Sequence, residues 1–173
     1  MIELENPLWE TFEGGYKIKY DVSTALKKLK VSSNQTEINE LLNELFTNLY
    51  HQGDVGLASY FSLPHLIRTG IEKQLDNWQL PTLIAIIEIA RQKNNPQMPA
   101  EYLLEYKNEL KQITKLIDIN QKTKWERTYS IAALSAIAAV NNQLDLAEII
   151  LEMESDDILK KFKLFLKSKN EFE

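Results

Sequence analysis

The chain has no cysteine among its 173 residues. A disulfide framework, a thiolate zinc site, an iron–sulfur cluster and a cysteine nucleophile are therefore excluded. A lack of cysteine is also typical of a reducing compartment. The acidic start MIELENP has no apolar core of the kind that a signal peptide carries. We therefore expect a cytoplasmic protein.

Long apolar runs and glycines are also scarce. The longest apolar stretch, residues 80–90, is interrupted by Thr82 and Glu88 and is too short to span a bilayer, so we expect no membrane partner. There are only five glycines, and alternating strand patterns are almost absent, which favours helices over a β-sandwich. The one strand-like segment, YKIKY at 16–20, has no partner strand and is predicted to be an extended arm.

From Asp21 onward, apolar residues recur at the spacing of three and four that marks a buried helix face. The pattern predicts helices at 22–30, 38–51, 55–69, 81–92, 100–119, 124–140 and 144–153, and one after Ser155. Pro64 is expected to bend the third helix and Gly70 to end it. The helix at 81–92 is apolar nearly all round and should be central. The last helix should turn Ile158, Leu159, Phe162 and Leu166 inward.

Short connections between helices force antiparallel neighbours. The predicted fold is therefore all-α, an irregular stack of antiparallel helix pairs with about eight helices and no strict repeat period. No linker is visible, so residues 1–173 are predicted to form a single helical domain. Residues 1–20, which we call the N-terminal arm, are expected to pack on this domain.

The net charge is −5, and the first 60 residues hold nine acids against five bases. A nucleic-acid-binding protein normally presents a basic face that neutralises phosphates, so no nucleic-acid partner is expected. The arm also carries Trp9, Phe12, Tyr16 and Tyr20 among its acids. Aromatic residues anchor interfaces and acids attract basic partners, although the same rings would also suit an arm that packs on the helices.

Two histidines, His51 and His65, lie on either side of Asp54 within 15 residues. A metal site needs three or four converging ligands, and the predicted helices place these histidines far apart, so we expect no metal and no other cofactor. Motifs of serine hydrolases and phosphate-binding loops are missing. Asp54 as a helix cap and His51 as a polar end residue explain the segment as well.

The segment HQGDVGLASYFSLPHL at 51–66 resembles a segment of bacterial HEAT-like helical proteins, a largely uncharacterised family. Similar stretches are LWE at 8–10, YDV at 20–22 and AVNNQLDLA at 139–147. Some members of that family resemble immunity proteins of polymorphic toxin systems. The resemblance implies a HEAT-like α-solenoid or α-α superhelix, and it assigns no catalytic residue.

The first hypothesis is a non-catalytic protein-binding helical module, such as an immunity protein that binds a basic toxin. The residues predicted to contact the partner are Trp9, Glu10, Glu13, Asp21, His51, Gln52 and Asp54. The alternative is a HEAT-like nucleic-acid-acting enzyme or a hydrolase that uses His51 or His65. A homo-oligomeric structural module is a third interpretation, since the sequence leaves the oligomeric state open.

Overall fold

The computed structural model describes residues 1–93, 96–119 and 124–170, with side chains described as far as residue 168. Within these ranges the fold is all-α, as predicted, and residues 94–95, 120–123 and 171–173 of the predicted domain lie outside the description. The α-helices are α1 Val22–Val31, α2 Gln35–Leu49, α3 Leu57–Lys73, α4 Gln79–Gln92, α5 Ala100–Leu110, α6 Ile113–Asp118, α7 Arg127–Val140, α8 Leu144–Glu152 and α9 Asp156–Asn170. Because α5 and α6 form one interrupted helix, the described part agrees with the predicted number.

Helices α1 and α2 begin where a short polar side chain accepts a backbone N–H of the first turn. The carboxylate of Asp21 accepts the N–H of Ser23 at 3.0 Å, as expected for the cap of α1. Asn34 does the same for α2, accepting the N–H of Thr36 at 2.9 Å. These caps set the start of α1 and α2 by local contacts, independently of the tertiary packing.

The helices pack as successive neighbours around α4. This helix contacts α2, α3, α7 and α8, which confirms that the segment predicted to be apolar all round is central. The pairs α1 with α2, α3 with α4 and α7 with α8 pack side by side, and α5 and α6 lie against α3. One continuous hydrophobic core joins the arm to α7.

Helix α3 continues through both residues that were expected to disturb it. Pro64 lies inside the helix, as predicted, but Gly70 does not end it. The helix runs on to Lys73 and stops where Gln74 takes a positive φ of 53°. A Cβ at Gly70 would come within 2.7 Å of the Leu116 side chain, so this glycine permits close packing of α6 on α3.

Two other predictions fail for different reasons. The helix expected at 100–119 is interrupted at Lys111–Gln112, where the N–H of Gln112 donates to Glu109 O at 2.9 Å. Its apolar stripe continues on both sides of the interruption, so periodicity alone does not detect it. In α9, Phe162 and Leu166 are 40% and 45% exposed instead of turned inward.

The N-terminal arm is packed on the helices but is not extended. Residues Pro7–Thr11 form a 3₁₀ helix that places Trp9 in the core at 1% exposure. The Trp9 indole N–H donates to Glu3 O at 2.9 Å, and its ring meets Phe61 of α3 edge-on at 6.5 Å. Trp9 therefore anchors the arm to α3.

A buried charged network joins α4 to its neighbours. Glu88 is 2% exposed and accepts hydrogen bonds from the Arg91 guanidinium at 2.7 and 2.8 Å, and from Tyr106 Oη at 2.9 Å. Gln92 links Glu88 to the carbonyl of Ala139 on α7. Burial raises the pKa of the Tyr106 hydroxyl well above its usual value, so this group remains a donor. The network fixes the positions of α5 and α7 on α4.

We expect Glu88→Ala to lower the free energy of unfolding by about 3–5 kcal/mol, because it leaves the largely buried Arg91 cation without its carboxylate. Glu40→Ala, at an exposed glutamate of α2, is the matched control and should change it by no more than about 0.5 kcal/mol. Urea unfolding followed by circular dichroism measures both. Equal losses in the two variants would show that the network does not stabilise the stack.

Candidate partner-binding site

The residues that were predicted to form an extended arm instead fold into a tight turn. The N–H of Gly14 donates to Ile18 O at 3.0 Å, and Glu13 and Lys19 form an isolated antiparallel bridge. Lys17 takes a positive φ of 59°, which is uncommon for a residue with a side chain. Residues 13–20 therefore form a closed loop.

A second turn occupies residues 51–54. His51 and Asp54 exchange both backbone hydrogen bonds, at 3.0 and 2.8 Å. The two central residues, Gln52 and Gly53, have positive φ values of 49° and 92°, as a type I′ hairpin turn requires. We refer to residues 13–20 and 51–54 together as the double turn.

The two turns are held together where their backbones cross. The N–H of Gly15 donates to Asn48 O at 2.7 Å, and the N–H of Ala58 donates to Glu13 O at 3.1 Å. A Cβ at Gly15 would lie 2.6 Å from the Tyr50 backbone, and one at Gly56 would lie 1.8 Å from Glu13 O. Only glycine fits at these contacts, because backbone atoms cannot move aside as flexible side chains can.

Side chains add a second layer of contacts across the double turn. The Tyr16 and His51 rings stack with their centroids 4.0 Å apart and their planes 23° apart. Lys17 Nζ donates to Val55 O at 2.7 Å and lies 3.4 Å from the Asp54 carboxylate. The double turn therefore has fixed side chains as well as a fixed backbone.

The structure brings only part of the predicted contact set to this surface. Glu13, His51, Gln52 and Asp54 belong to the double turn, and among them Glu13 and Gln52 are exposed while His51 and Asp54 are half-buried. Two other residues that were predicted to contact the partner have structural roles: Trp9 is buried in the core, and Asp21 caps α1. Glu10 is exposed on the 3₁₀ helix.

A groove that the sequence did not indicate borders the double turn. We call it the central groove: it has a volume of about 540 Å³ and lies between the second turn, α4 and α8. Its lining residues are Tyr50, Gly53, Ile86, Ile89, Ala90, Lys93, Glu148, Ile149, Leu151 and Glu152. The floor is mostly aliphatic, and of the charged residues Lys93 pairs with Glu148. The groove depends on the packing of α4 against α8, which no local pattern reveals.

His65 lies in a separate cavity of about 470 Å³ between the arm, α1 and α3. Its Nε2 is 2.9 Å from Ile2 O, so the ring donates its hydrogen there, and burial lowers the pKa of His65. The Trp9 ring lies against it, with centroids 6.0 Å apart. The cavity holds three acids and three bases: Glu3, Glu5, Glu72, Lys27, Lys30 and Arg68. His65 thus serves to hold the arm on α3.

The described residues offer no arrangement suited to a metal ion or a membrane span. Among residues 1–93, 96–119 and 124–170 there is no group of three or more histidine, aspartate or glutamate side chains placed to hold a metal. Within the same ranges, no helix has the length and apolar character needed to cross a bilayer.

We expect Gly56→Ala to lower the free energy of unfolding by about 3 kcal/mol or more, because its Cβ would overlap the Glu13 carbonyl. Gly53→Ala is the matched control, since only its positive φ opposes a side chain, and it should cost about 1–2 kcal/mol. Urea unfolding gives both values. Trypsin cleavage at Lys17 should become faster in Gly56→Ala alone. Equal losses of stability and equal cleavage rates in the two variants would contradict the role of the backbone crossing.

The lowered pKa of His65 predicts a loss of stability in acid. In the unfolded chain His65 binds a proton as the pH falls through about 6.5, whereas the folded chain keeps it neutral to a lower pH. The free energy of unfolding therefore declines as the pH falls below about 6.5. We expect His65→Gln to have a weaker decline in stability between pH 7 and pH 5 than the wild type, measured by urea unfolding. The same decline in both proteins would contradict this.

Comparison with protein-family models, with curated proteins and with solved structures finds no match to this chain. The resemblance to bacterial HEAT-like proteins stays a prediction, and the function has to be inferred from the site itself.

Proposed function

We propose that this chain is a non-catalytic protein-binding helical module whose binding surface consists of the double turn and the central groove. The observation that carries the proposal is the aliphatic floor of the central groove, which lies beside the fixed backbone of the double turn. A groove of this kind accepts apolar side chains of a partner, while a rigid rim limits the entropy lost on binding.

The charges around the grooves favour a basic partner. The central groove has Glu148 and Glu152 against Lys93, and the neighbouring groove between α4 and α7 has Glu126 and Glu154 without a lysine or arginine. On the double turn itself the charges balance, with Glu13 and Asp54 against Lys17 and Lys19, while Glu10 is exposed on the 3₁₀ helix that precedes it in sequence. Complementary charges at the rim speed association, so a basic protein is the partner that this surface suits.

Within this proposal, the resemblance to immunity proteins suggests a basic toxin as the partner. The alternative, an enzyme that uses His51 or His65, has less support. His51 is stacked on Tyr16, and His65 donates to a backbone carbonyl with a lowered pKa. Neither groove described above is basic enough to favour a nucleic-acid substrate.

The test is binding to the basic proteins encoded beside the gene, each purified and measured by biolayer interferometry. We expect one of them to bind, with an association rate that falls as salt rises. Glu10→Lys/Glu13→Lys should lower that rate about tenfold or more and flatten its salt dependence. Asp21 is left unchanged because its substitution would remove the cap of α1.

Ile149→Ala tests the groove, because Ile149 lines it and is about half exposed, so truncation should leave the fold intact. We expect faster dissociation in this variant. Glu40→Lys/Glu101→Lys is the matched charge control on α2 and α5, and it should retain the salt dependence of the wild type. A partner that binds all variants equally, or no binding by any of these proteins, would refute the proposed surface.

A further inference from the structure

Two cavities adjoin each other where α4, α7 and α8 meet. The first, of about 400 Å³, is lined by residues at the start of α4, the start of α7 and the end of α8. The second, of about 320 Å³, lies against the residues that precede α4 and α7. Trp78, Glu126 and Thr128 line both cavities, so the two form one depression in the surface. We call this depression the tryptophan cleft.

Aromatic rings form part of the wall of the tryptophan cleft. Trp78 is 44% exposed, and its ring meets Phe46 of α2 edge-on with centroids 5.9 Å apart. Trp125 is half-buried and meets the buried ring of Tyr129 edge-on at 5.2 Å. Each indole ring is thus held by a second ring. The faces of indole rings attract cations, and tryptophan does so more strongly than any other aromatic residue.

Carboxylates give the cleft a negative charge. Glu126 and Glu154 line the first cavity, whose lining includes no lysine or arginine. The second cavity adds one acid, Asp76, and one base, Lys124. The Glu154 carboxylate is held in position because it accepts a hydrogen bond from the Thr128 hydroxyl at 2.8 Å. Across both cavities, three carboxylates therefore face one ammonium group.

The arginine next to the cleft in sequence does not neutralise these carboxylates. The Arg127 guanidinium pairs with Asp156, and it reaches only the backbone carbonyl of Glu154, at 3.3 Å. Among residues 1–93, 96–119 and 124–170, no lysine or arginine forms an ion pair with the Glu126 or Glu154 carboxylate. The cleft therefore suits a cation that comes from another molecule.

We propose that the tryptophan cleft binds the guanidinium group of an arginine side chain on the protein partner. A guanidinium group is planar, so it stacks on an aromatic ring while its N–H groups donate to carboxylates beside that ring. Trp78 supplies the ring, and Glu126 and Glu154 accept the N–H groups. No part of the double turn takes part in this contact.

The position of the cleft favours a protein as the source of the arginine. Leu151 lines both the cleft and the central groove, so the two sites adjoin. Trp78 of the cleft and Ile89 of the groove are 11 positions apart, which is about 17 Å along a helix at ~1.5 Å per residue. An extended segment of about five residues spans that distance. The inference rests on the proposed function, and it specifies the chemistry of the partner: an arginine close to an apolar side chain.

Other ligands fit the cleft less well. An anion would be attracted by Lys124 and by the partial positive charges at the starts of α4 and α7, but it would meet three carboxylates. A quaternary ammonium ion binds to indole rings, yet it has no N–H group to donate to Glu126 or Glu154. A lysine ammonium group donates hydrogen bonds, but it is compact and strongly hydrated and does not stack as a plane.

The three tryptophans of the chain allow the cleft to be observed directly. Trp78 and Trp125 line it, whereas Trp9 of the arm is 1% exposed and serves as an internal control. Their indole N–H signals in a proton–nitrogen correlation spectrum of the full chain are assigned with Trp78→Phe and Trp125→Phe. We expect N-acetylarginine amide to shift the Trp78 and Trp125 signals saturably, with a dissociation constant in the millimolar range, and to leave the Trp9 signal unchanged.

Two analogues and two variants test which features of the ligand and the cleft matter. N-acetylcitrulline amide has the shape of the arginine probe without its charge and should bind at least about tenfold more weakly. N-acetyllysine amide should bind at least about threefold more weakly. Glu126→Gln, at an exposed position, should raise the dissociation constant of the arginine probe about fivefold. Glu101→Gln on α5 is the matched control and should leave it unchanged.

The same cleft is tested in the complex with the basic protein that binds in interferometry. Trp78→Ala should raise the dissociation constant of that complex at least about tenfold, because a stacked aromatic anchor is lost. Circular dichroism should show the helix content of the wild type, since the Trp78 side chain is 44% exposed. A complex that Trp78→Ala and Glu126→Gln both leave unchanged would show that no arginine of the partner enters the cleft.

Three results with the probes would overturn the inference. The first is no shift of the Trp78 and Trp125 signals by N-acetylarginine amide. The second is equal binding of the citrulline and arginine probes. The third is tighter binding of tetramethylammonium or of inorganic phosphate. These measurements need no partner, so a failed probe would refute the cleft even where a basic protein binds. Failure of every basic protein to bind would instead refute the proposed function.

Discussion

The crossing of two backbone segments at Gly14, Gly15 and Gly56 is the constraint on which the N-terminal half depends. Carbonyl oxygens of Asn48 and Glu13 occupy the space that side chains at Gly14 and Gly56 would fill, and the Tyr50 backbone occupies it at Gly15. The crossing sets the direction in which the arm leaves the first helices. That direction brings Trp9 to α3, and it also fixes the rim of the central groove. The backbone crossing therefore determines both where the arm covers the core and where the rim of the site lies.

The helices could be predicted from the sequence because their information is local. Asp21 caps α1, and the apolar positions of α2 and α4 recur at helical spacing, so each helix can be recognised from its own residues. Gly70 was misinterpreted because its role is not local. It makes room for Leu116, which is 46 positions away in the chain, and a glycine that ends a helix looks the same in sequence.

The candidate site was predicted only in part, for the same reason. The segment at 51–54 attracted attention through its polar residues, and Glu13 through its charge. Nothing local shows that the two segments meet, because the contact is made by backbone atoms at glycines rather than by a pair of recognisable side chains. The central groove needs α4 beside α8, a packing of helices more than fifty residues apart in sequence. The interruption of an apolar run by Glu88 was the one signal of the buried network that the sequence offered.

The double turn combines a rigid backbone with local strain. It has positive φ at Lys17 and Gln52, a strain that persists only where the surrounding structure holds it, and such strain is common at binding sites. A surface held in this way presents its side chains in one arrangement, so that little of its conformational entropy is lost when a partner binds.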